Sequence, residues 1–231
     1  GSRQSACANR DPEGLLMQIG LAGLGVVGTS LLKSLENQGC ALLWPERAGR
    51  SFLVTHINAQ NRSKKRGIDL SSYEWSESPL EMAENPDLDI IVELIGGAEG
   101  TAYELIRTAL TNGKHVVTAN KALLALHGTE LMALAGRKGV LLRYEAAVAG
   151  GIPIVKALEE GLAGARARRV TGILNGTSNY ILSAMTDSGI GFEAALQQAQ
   201  ELGYAESDPD MDINGGDAAQ KLALLTRLAF D

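Results

Sequence analysis

Five carboxylates fall within twelve residues, at Glu206, Asp208, Asp210, Asp212 and Asp217, immediately ahead of a stretch with helical periodicity. Asp217 and Lys221 are four residues apart, so on a helix they share one face. An ammonium beside a carboxylate suits proton handling. The same spacing suits an acidic loop, an acid favoured by the helix dipole and one structural ion pair. Spacing alone leaves both readings open.

A second signal is Gly23-Leu24-Gly25-Val26-Val27-Gly28, a GxGxxG match. In a chain with 27 glycines the match alone says little, but an apolar run precedes it and an amphipathic stretch follows. That context fits a dinucleotide site. Gly23 permits the turn, Gly25 lets the backbone approach a pyrophosphate, and Gly28 lets helix and strand pack closely. Val26 and Val27 then open a helix whose free N–H groups face the phosphate. The alternative is a purely structural glycine turn.

The next strand selects the dinucleotide. NAD sites place an acid at its end to accept from the ribose 2′-hydroxyl. Here no acid appears from His56 until Asp69, and Arg62, Lys64, Lys65 and Arg66 cluster instead. Such a cluster attracts a 2′-phosphate. NADP(H) is therefore expected over NAD(H), with Arg62, Lys64 or Lys65 touching the phosphate. A solvated basic loop is the competing explanation.

Short apolar runs alternating with helical stretches must position these groups, which predicts an α/β fold with a parallel sheet. Strands are expected at Leu16–Leu21, Phe52–Ile57, Asp89–Ile95, His115–Thr118 and Val140–Tyr144, and helices at Val26–Asn37, Thr101–Thr111 and Leu123–Lys138. After Glu145 the pattern changes. Pro153 suits the first turn of a helix, Arg166–Leu174 reads as a strand, and Asn179–Thr186, Glu193–Leu202 and Gly215–Phe230 read as helices. The division is a leader at 1–13 expected to be disordered, a Rossmann-type parallel-sheet nucleotide-binding domain at 14–148, and an α+β substrate or catalytic domain at 149–231. The apolar stretch Leu15–Leu32 reads as strand, glycine turn and helix, not as a signal or membrane segment. Its glycines and Gln18 argue for that.

The net charge of −6 provides no basic field for nucleic acid, and no membrane partner is expected. Cys7 and Cys40 make neither a disulfide framework nor a metal-ligand spacing, which suits the cytoplasm. His56, His115 and His127 show no ligand spacing and read as surface or satisfied core positions.

Gly203-Tyr204-Ala205-Glu206-Ser207-Asp208-Pro209, with Asp212 and Gly216-Asp217-Ala218-Ala219-Gln220-Lys221, resembles the signature of the homoserine dehydrogenase family. Val92-Glu93-Leu94-Ile95-Gly96-Gly97 resembles its central strand and the turn beneath the nicotinamide. Thr118-Ala119-Asn120-Lys121, Tyr144-Glu145-Ala146 through Gly150-Gly151-Ile152-Pro153, and Gly172-Ile173-Leu174-Asn175-Gly176-Thr177 through Leu182 resemble further motifs, in the family's order from about Ile19 to the C-terminus.

The resemblance implies an NADP-dependent oxidoreductase interconverting L-homoserine and L-aspartate 4-semialdehyde, in threonine and methionine biosynthesis. Lys221 and Lys121 would flank the reacting carbon and Asp217 would orient Lys221. Glu206 and Asp212 would meet the substrate's ammonium group, or position their neighbours, and Thr177 would contact substrate or nicotinamide. Gly96, Thr118, Asn120 and Lys121 would line the cofactor. Glu145, Val148, Gly150 and Ile152 match positions whose oxygens hold a structural sodium ion, and hard cations take such donors. Ala149 stands where the family has a glycine, and Gln60 where a charged residue is expected. A homodimer is implied.

Family members continue beyond the last helix and complete a substrate-domain sheet. On that comparison the chain reads as C-terminally short, without a regulatory domain, and apolar faces at Leu222, Leu225 and Phe230 are expected to be exposed. Two other readings remain: a non-catalytic NADP-binding fragment, and a related Rossmann dehydrogenase acting on another small carbonyl compound.

Overall fold

The computed structural model describes residues 16–37, 50–205 and 208–230. The expected leader, Cys7, Cys40 and Glu206 lie outside the described residues. The chain divides into two compact units between Ala147 and Val148.

The first unit is built on six strands: β1 (Leu16–Ala22), β2 (Ser51–Asn58), β3 (Glu74–Trp75), β4 (Ile90–Glu93), β5 (His115–Thr118) and β6 (Leu142–Arg143). They form one parallel sheet in the order β3-β2-β1-β4-β5-β6. The order reverses direction between β1 and β4, and a crevice for a ligand opens beyond the carboxyl ends of strands at such a switch point. Helices α1 (Val26–Asn37), α2 (Pro79–Glu84), α3 (Thr101–Thr111) and α4 (Lys121–Lys138) connect the strands.

The strand pleat divides the core. Leu21 and Val92 are register partners and pack with Ile57 and with Leu32 and Leu35 of α1. Their neighbours Gly20 and Ile91 point to the opposite face, where Met82 and Leu88 close over Gly20. Burying a side chain such as Leu32 or Leu105 contributes about 1.5–3 kcal/mol, so apolar stripes on both faces hold the helices down. Leu15–Leu32 does form strand, glycine turn and helix over its described residues.

Several boundaries differ from those expected. The strand expected at Asp89–Ile95 is β4, which covers only Ile90–Glu93. Its exit is turned by its own last residue, because the Glu93 carboxylate accepts the N–H groups of Ile95 and Gly96. The last strand shrinks from Val140–Tyr144 to Leu142–Arg143 at the sheet edge. Strand β3 and helix α2 were not anticipated. A local signal for α2 exists: Ser78 and Glu81 form a capping box with Pro79 at the first turn.

The second unit begins beside a short helix, α5 (Glu145–Val148), and continues with α6 (Ile154–Lys156), which runs into a π-helical turn at Ala157–Gly161. Then come α7 (Gly176–Ser188), α8 (Phe192–Glu201), α9 (Asp210–Ile213) and α10 (Gly216–Phe230). Ile181, Ala195, Ala199 and Ala205 form a small buried core between α7 and α8. The strand expected at Arg166–Leu174 is absent. These residues take no regular structure, and among the described residues of this unit no strand is present to pair with them. Helix α7 begins three residues earlier than expected, because Asn175 caps it. Leu222 and Phe230 are exposed as expected, but Leu225 is buried at 4% exposure on the inner face of α10. Among the described residues, no helix is long and apolar enough to cross a membrane.

Candidate functional site

The glycine turn after β1 has one spatial reason for each glycine. Gly23 adopts φ 105°, and a Cβ there would lie 2.3 Å from the Leu94 carbonyl oxygen. A Cβ on Gly28 would lie 2.0 Å from the Gly23 carbonyl oxygen, so α1 can pack on the turn only without a side chain there. Around Gly25 nothing lies within 4 Å, which leaves the backbone open to an approaching group. Val26 and Val27, at the start of α1, are 87% and 59% exposed. Exposed valines at a helix start suit a surface that something else covers.

Beside this turn lies a cleft of about 650 Å³. Gly23, Gly25, Leu94 and Ile95 line it at the switch point, and Arg62, Lys64 and Trp75 line it beyond β2. Lys65 is exposed and is not among the lining residues. Arg66 is committed to the loop. Its guanidinium donates to the carbonyls of Leu24 (3.0 Å), Lys64 (2.8 Å) and Asn61 (2.6 Å). Arg62 pairs with Glu77 at 3.1 Å, and Glu77, which the sequence did not single out, also lines the cleft. At the end of β2, where an acid would select a 2′-hydroxyl, Asn58 is buried and donates to the Ser76 carbonyl.

A row of polar side chains is buried along the carboxyl edge of the sheet. Asn58, Ala22, Glu93 and Thr118 are successive register partners across β2, β1, β4 and β5. Glu93 is fully buried, and its carboxylate accepts from Ile95 N (2.7 Å), Gly96 N (3.0 Å) and the Thr118 hydroxyl (2.5 Å). The Thr118 oxygen accepts in turn from Asn120 N at 2.9 Å. The Asn120 side chain donates to the Gly97 carbonyl (2.6 Å) and caps α4 by accepting from Leu123 N (3.1 Å). Gly96 and Gly97, both at positive φ, are thus pinned to the start of α4, where Lys121 is the first residue. The network places Gly96, Thr118, Asn120 and Lys121 close together. Its keystone, Glu93, lies within a motif noted in the sequence, which assigns it no role of its own.

In the second unit the polar network centres on Asp217, which is 5% exposed. Lys221 Nζ lies 2.7 Å from Asp217 Oδ2 and donates to the Leu174 carbonyl at 3.1 Å. Asn175 donates to Asp217 (3.0 Å) and to Asp212 (2.7 Å), while its own oxygen accepts from Ser178 N. Asp212, Asp217 and Lys221 therefore share one network, assembled by Asn175 from α9, α10 and the head of α7. Asn175 lies within a motif noted in the sequence, but its bridging role was not foreseen. Thr177 is buried and donates its hydroxyl to the Tyr204 carbonyl at 2.6 Å. Glu145 and Val148 open and close α5, and Gly150 and Ile152 follow it. Among the described residues, no group of three or more His, Cys, Asp and Glu side chains could hold a metal ion.

Each histidine has a local partner. His56 contacts Thr55 and Asn85, His115 accepts from Leu141 N, and His127 meets Glu99 and Glu130.

A parallel sheet in this strand order, with a tight glycine turn and a polar cleft at its switch point, defines a dinucleotide-binding α/β domain. Residues 23–145 match the family described as homoserine dehydrogenase, NAD binding domain, and residues 153–231 match homoserine dehydrogenase. The chain belongs to the homoserine dehydrogenase family. It is 46% identical over 214 residues to the homoserine dehydrogenase of Pseudomonas aeruginosa, covering 93% of this chain and 48% of that protein. The crystal structure of a homoserine dehydrogenase from Thiobacillus denitrificans is 47% identical with a TM-score of 0.84, covering 93% of this chain and 49% of that one. A hyperthermophilic archaeal homoserine dehydrogenase in complex with NADPH is 27% identical with a TM-score of 0.79, covering 93% of this chain and 70% of that one. The chain spans about half the length of the curated relatives it matches.

Proposed function

We propose that this chain carries the cofactor-binding and proton-handling parts of an NADP-linked homoserine dehydrogenase. The observation that carries the proposal is the Asp217–Lys221 pair, buried at the carboxylate end and held by Asn175 and the Leu174 carbonyl. When bound, the dinucleotide supplies the hydride. Reducing an aldehyde leaves charge on oxygen, and a fixed ammonium can stabilise that alkoxide and deliver its proton. In this reading Lys221 does so, Asp217 fixes its direction, and Lys121 is the second cation at the reacting carbon. Asp212 and Glu206 meet the substrate's ammonium group or position their neighbours, and Thr177 contacts substrate or nicotinamide.

The cleft in the first unit fits the cofactor. Gly25 leaves room for a pyrophosphate, and Arg62 and Lys64 offer charge to a 2′-phosphate, which favours NADP(H) over NAD(H). The oxygen donors of Glu145, Val148, Gly150 and Ile152 suit a sodium ion by their chemistry. A homodimer in the cytoplasm completes the reading.

Following NADPH oxidation with aspartate 4-semialdehyde tests the proposal. Lys221→Ala and Asp217→Ala should each lower kcat by at least about a hundredfold, the scale of general acid–base effects. Near-normal turnover in both variants refutes the assignment. One observation favours a second reading, a nucleotide-binding fragment without turnover: residues 166–174 have no strand partner among the described residues of their unit. NADPH binding without oxidation would decide for it.

A further inference from the structure

We propose that Glu77 sets how strongly the cleft prefers a 2′-phosphate over a 2′-hydroxyl, by competing with the phosphate for the Arg62 guanidinium. The proposal rests on reading the cleft as the dinucleotide site. Arg62 Nη1 lies 3.1 Å from Glu77 Oε1, and its guanidinium sits 5.3 Å from the centre of the Trp75 ring. All three residues line the cleft. Arg66 is occupied by four backbone carbonyls, whereas Arg62 faces an anion that can exchange.

The position of Glu77 is built, not incidental. Strand β3 lies beside β2, and Ser76 N donates to the Ile57 carbonyl while Asn58 donates to the Ser76 carbonyl. Glu77 N donates to Glu81 Oε2 at 3.0 Å at the head of α2. The backbone of Glu77 is therefore fixed next to the end of β2. That end carries Asn58 in place of an acid, and the segment after the adjoining strand brings a carboxylate to the cleft instead.

The consequences for the two cofactor types have opposite signs. A 2′-phosphate must displace Glu77 from Arg62 and is repelled by the carboxylate that remains. A 2′-hydroxyl meets an acceptor and no repulsion. The Arg62 and Glu77 side chains are 66% and 75% exposed, so water screens the pair and a dianion can displace it.

The experiment titrates the full chain with adenosine 2′,5′-bisphosphate and with adenosine 5′-monophosphate at one ionic strength. Wild type, Glu77→Gln, Arg62→Ala and the double variant are compared. Glu77→Gln should bind the bisphosphate about two- to fivefold more tightly, the range for one exposed charge pair, with no gain for the monophosphate. The gain should shrink when Arg62 is absent, because only the repulsion by the carboxylate then remains to be relieved. Unchanged bisphosphate affinity in Glu77→Gln overturns the proposal, as does an equal gain for both nucleotides or a gain of undiminished size when Arg62 is absent. Failure of wild type to bind either nucleotide instead overturns the reading of the cleft, and the proposal with it.

Discussion

Thr118 and Glu93 are register partners on adjacent strands, and the Thr118 hydroxyl donates to the fully buried Glu93 carboxylate. The contact joins the turn after β4 to the helix cap at Asn120, because the same Thr118 oxygen accepts from Asn120 N. Ile95 N and Gly96 N both donate to the other carboxylate oxygen, so losing Thr118 takes the side-chain donor from one buried, charged oxygen. Thr118→Val keeps the shape and removes both the donor to Glu93 and the acceptor of Asn120 N. It should destabilise the first unit by about 1.5–3 kcal/mol, the range for a hydrogen bond to a charged group. Chemical denaturation measures this, and an unchanged midpoint would show that Glu93 is satisfied without Thr118.

The glycine turn predicts two different outcomes from the same substitution. Gly28→Ala brings a methyl to 2.0 Å from a backbone oxygen, so the turn must open and melting temperature and nucleotide binding should fall together. Gly25→Ala meets no atom within 4 Å, so its melting temperature should stay near that of wild type while nucleotide affinity drops. Thermal melts beside a nucleotide titration separate the cases. A large loss of stability in Gly25→Ala would contradict the open space around that residue.

Much of this was legible because period and punctuation were strong. Val26–Asn37 and Thr101–Thr111 were expected with the bounds they have, since apolar spacing and turn residues mark both. Short elements were not legible. Glu74–Trp75 has two residues and no period, and its strand character comes from pairing with His56 and Ile57. Arg166–Leu174 failed for the converse reason: a strand-like pattern needs a partner, and none is present among the described residues of its unit. At the sites, spacing linked Asp217 to Lys221 because both lie on one helix. The roles of Asn175 and Glu77 depend on residues far away in sequence, Asn175 meeting Asp212 and Asp217 and Glu77 meeting Arg62, and spacing cannot reveal such pairs.

Asn175 performs three tasks, and one substitution removes them together. It caps α7 and donates to both Asp212 and Asp217. Asn175→Ala should cost about 1–3 kcal/mol, combining a lost cap with carboxylates that lose a donor. Asn175→Asp retains the cap but sets a third carboxylate against Asp212 and Asp217 in place of a donor, so it should be less stable than Asn175→Ala. Denaturation of both variants under one set of conditions checks this. An Asn175→Asp protein at least as stable as Asn175→Ala would mean that the carboxylates are not coupled through this residue.

Lys114 carries a pH prediction at the opposite, amino end of the strands. Its ammonium is buried and donates to the carbonyls of Asn85 and Leu88, tying the loop before β4 to the start of β5. Burial lowers its pKa below the ordinary lysine range, against the opposing pull of Asp89 and Asp87. Between the folded and the unfolded pKa the unfolded chain binds more protons, so stability rises with pH across that window. The penalty for burying the charge is fully present below the folded pKa and is gone above the unfolded one. Lys114→Met removes the titration and the ammonium's hydrogen bonds to both carbonyls, of which that of Asn85 keeps Leu88 N, at a cost of about 1–3 kcal/mol near neutrality. The stability gap between wild type and Lys114→Met should therefore widen as pH rises from 7 toward 10. Urea denaturation at each pH measures the gap, and one that stays constant or narrows would show that the ammonium keeps its ordinary affinity for protons in the folded chain.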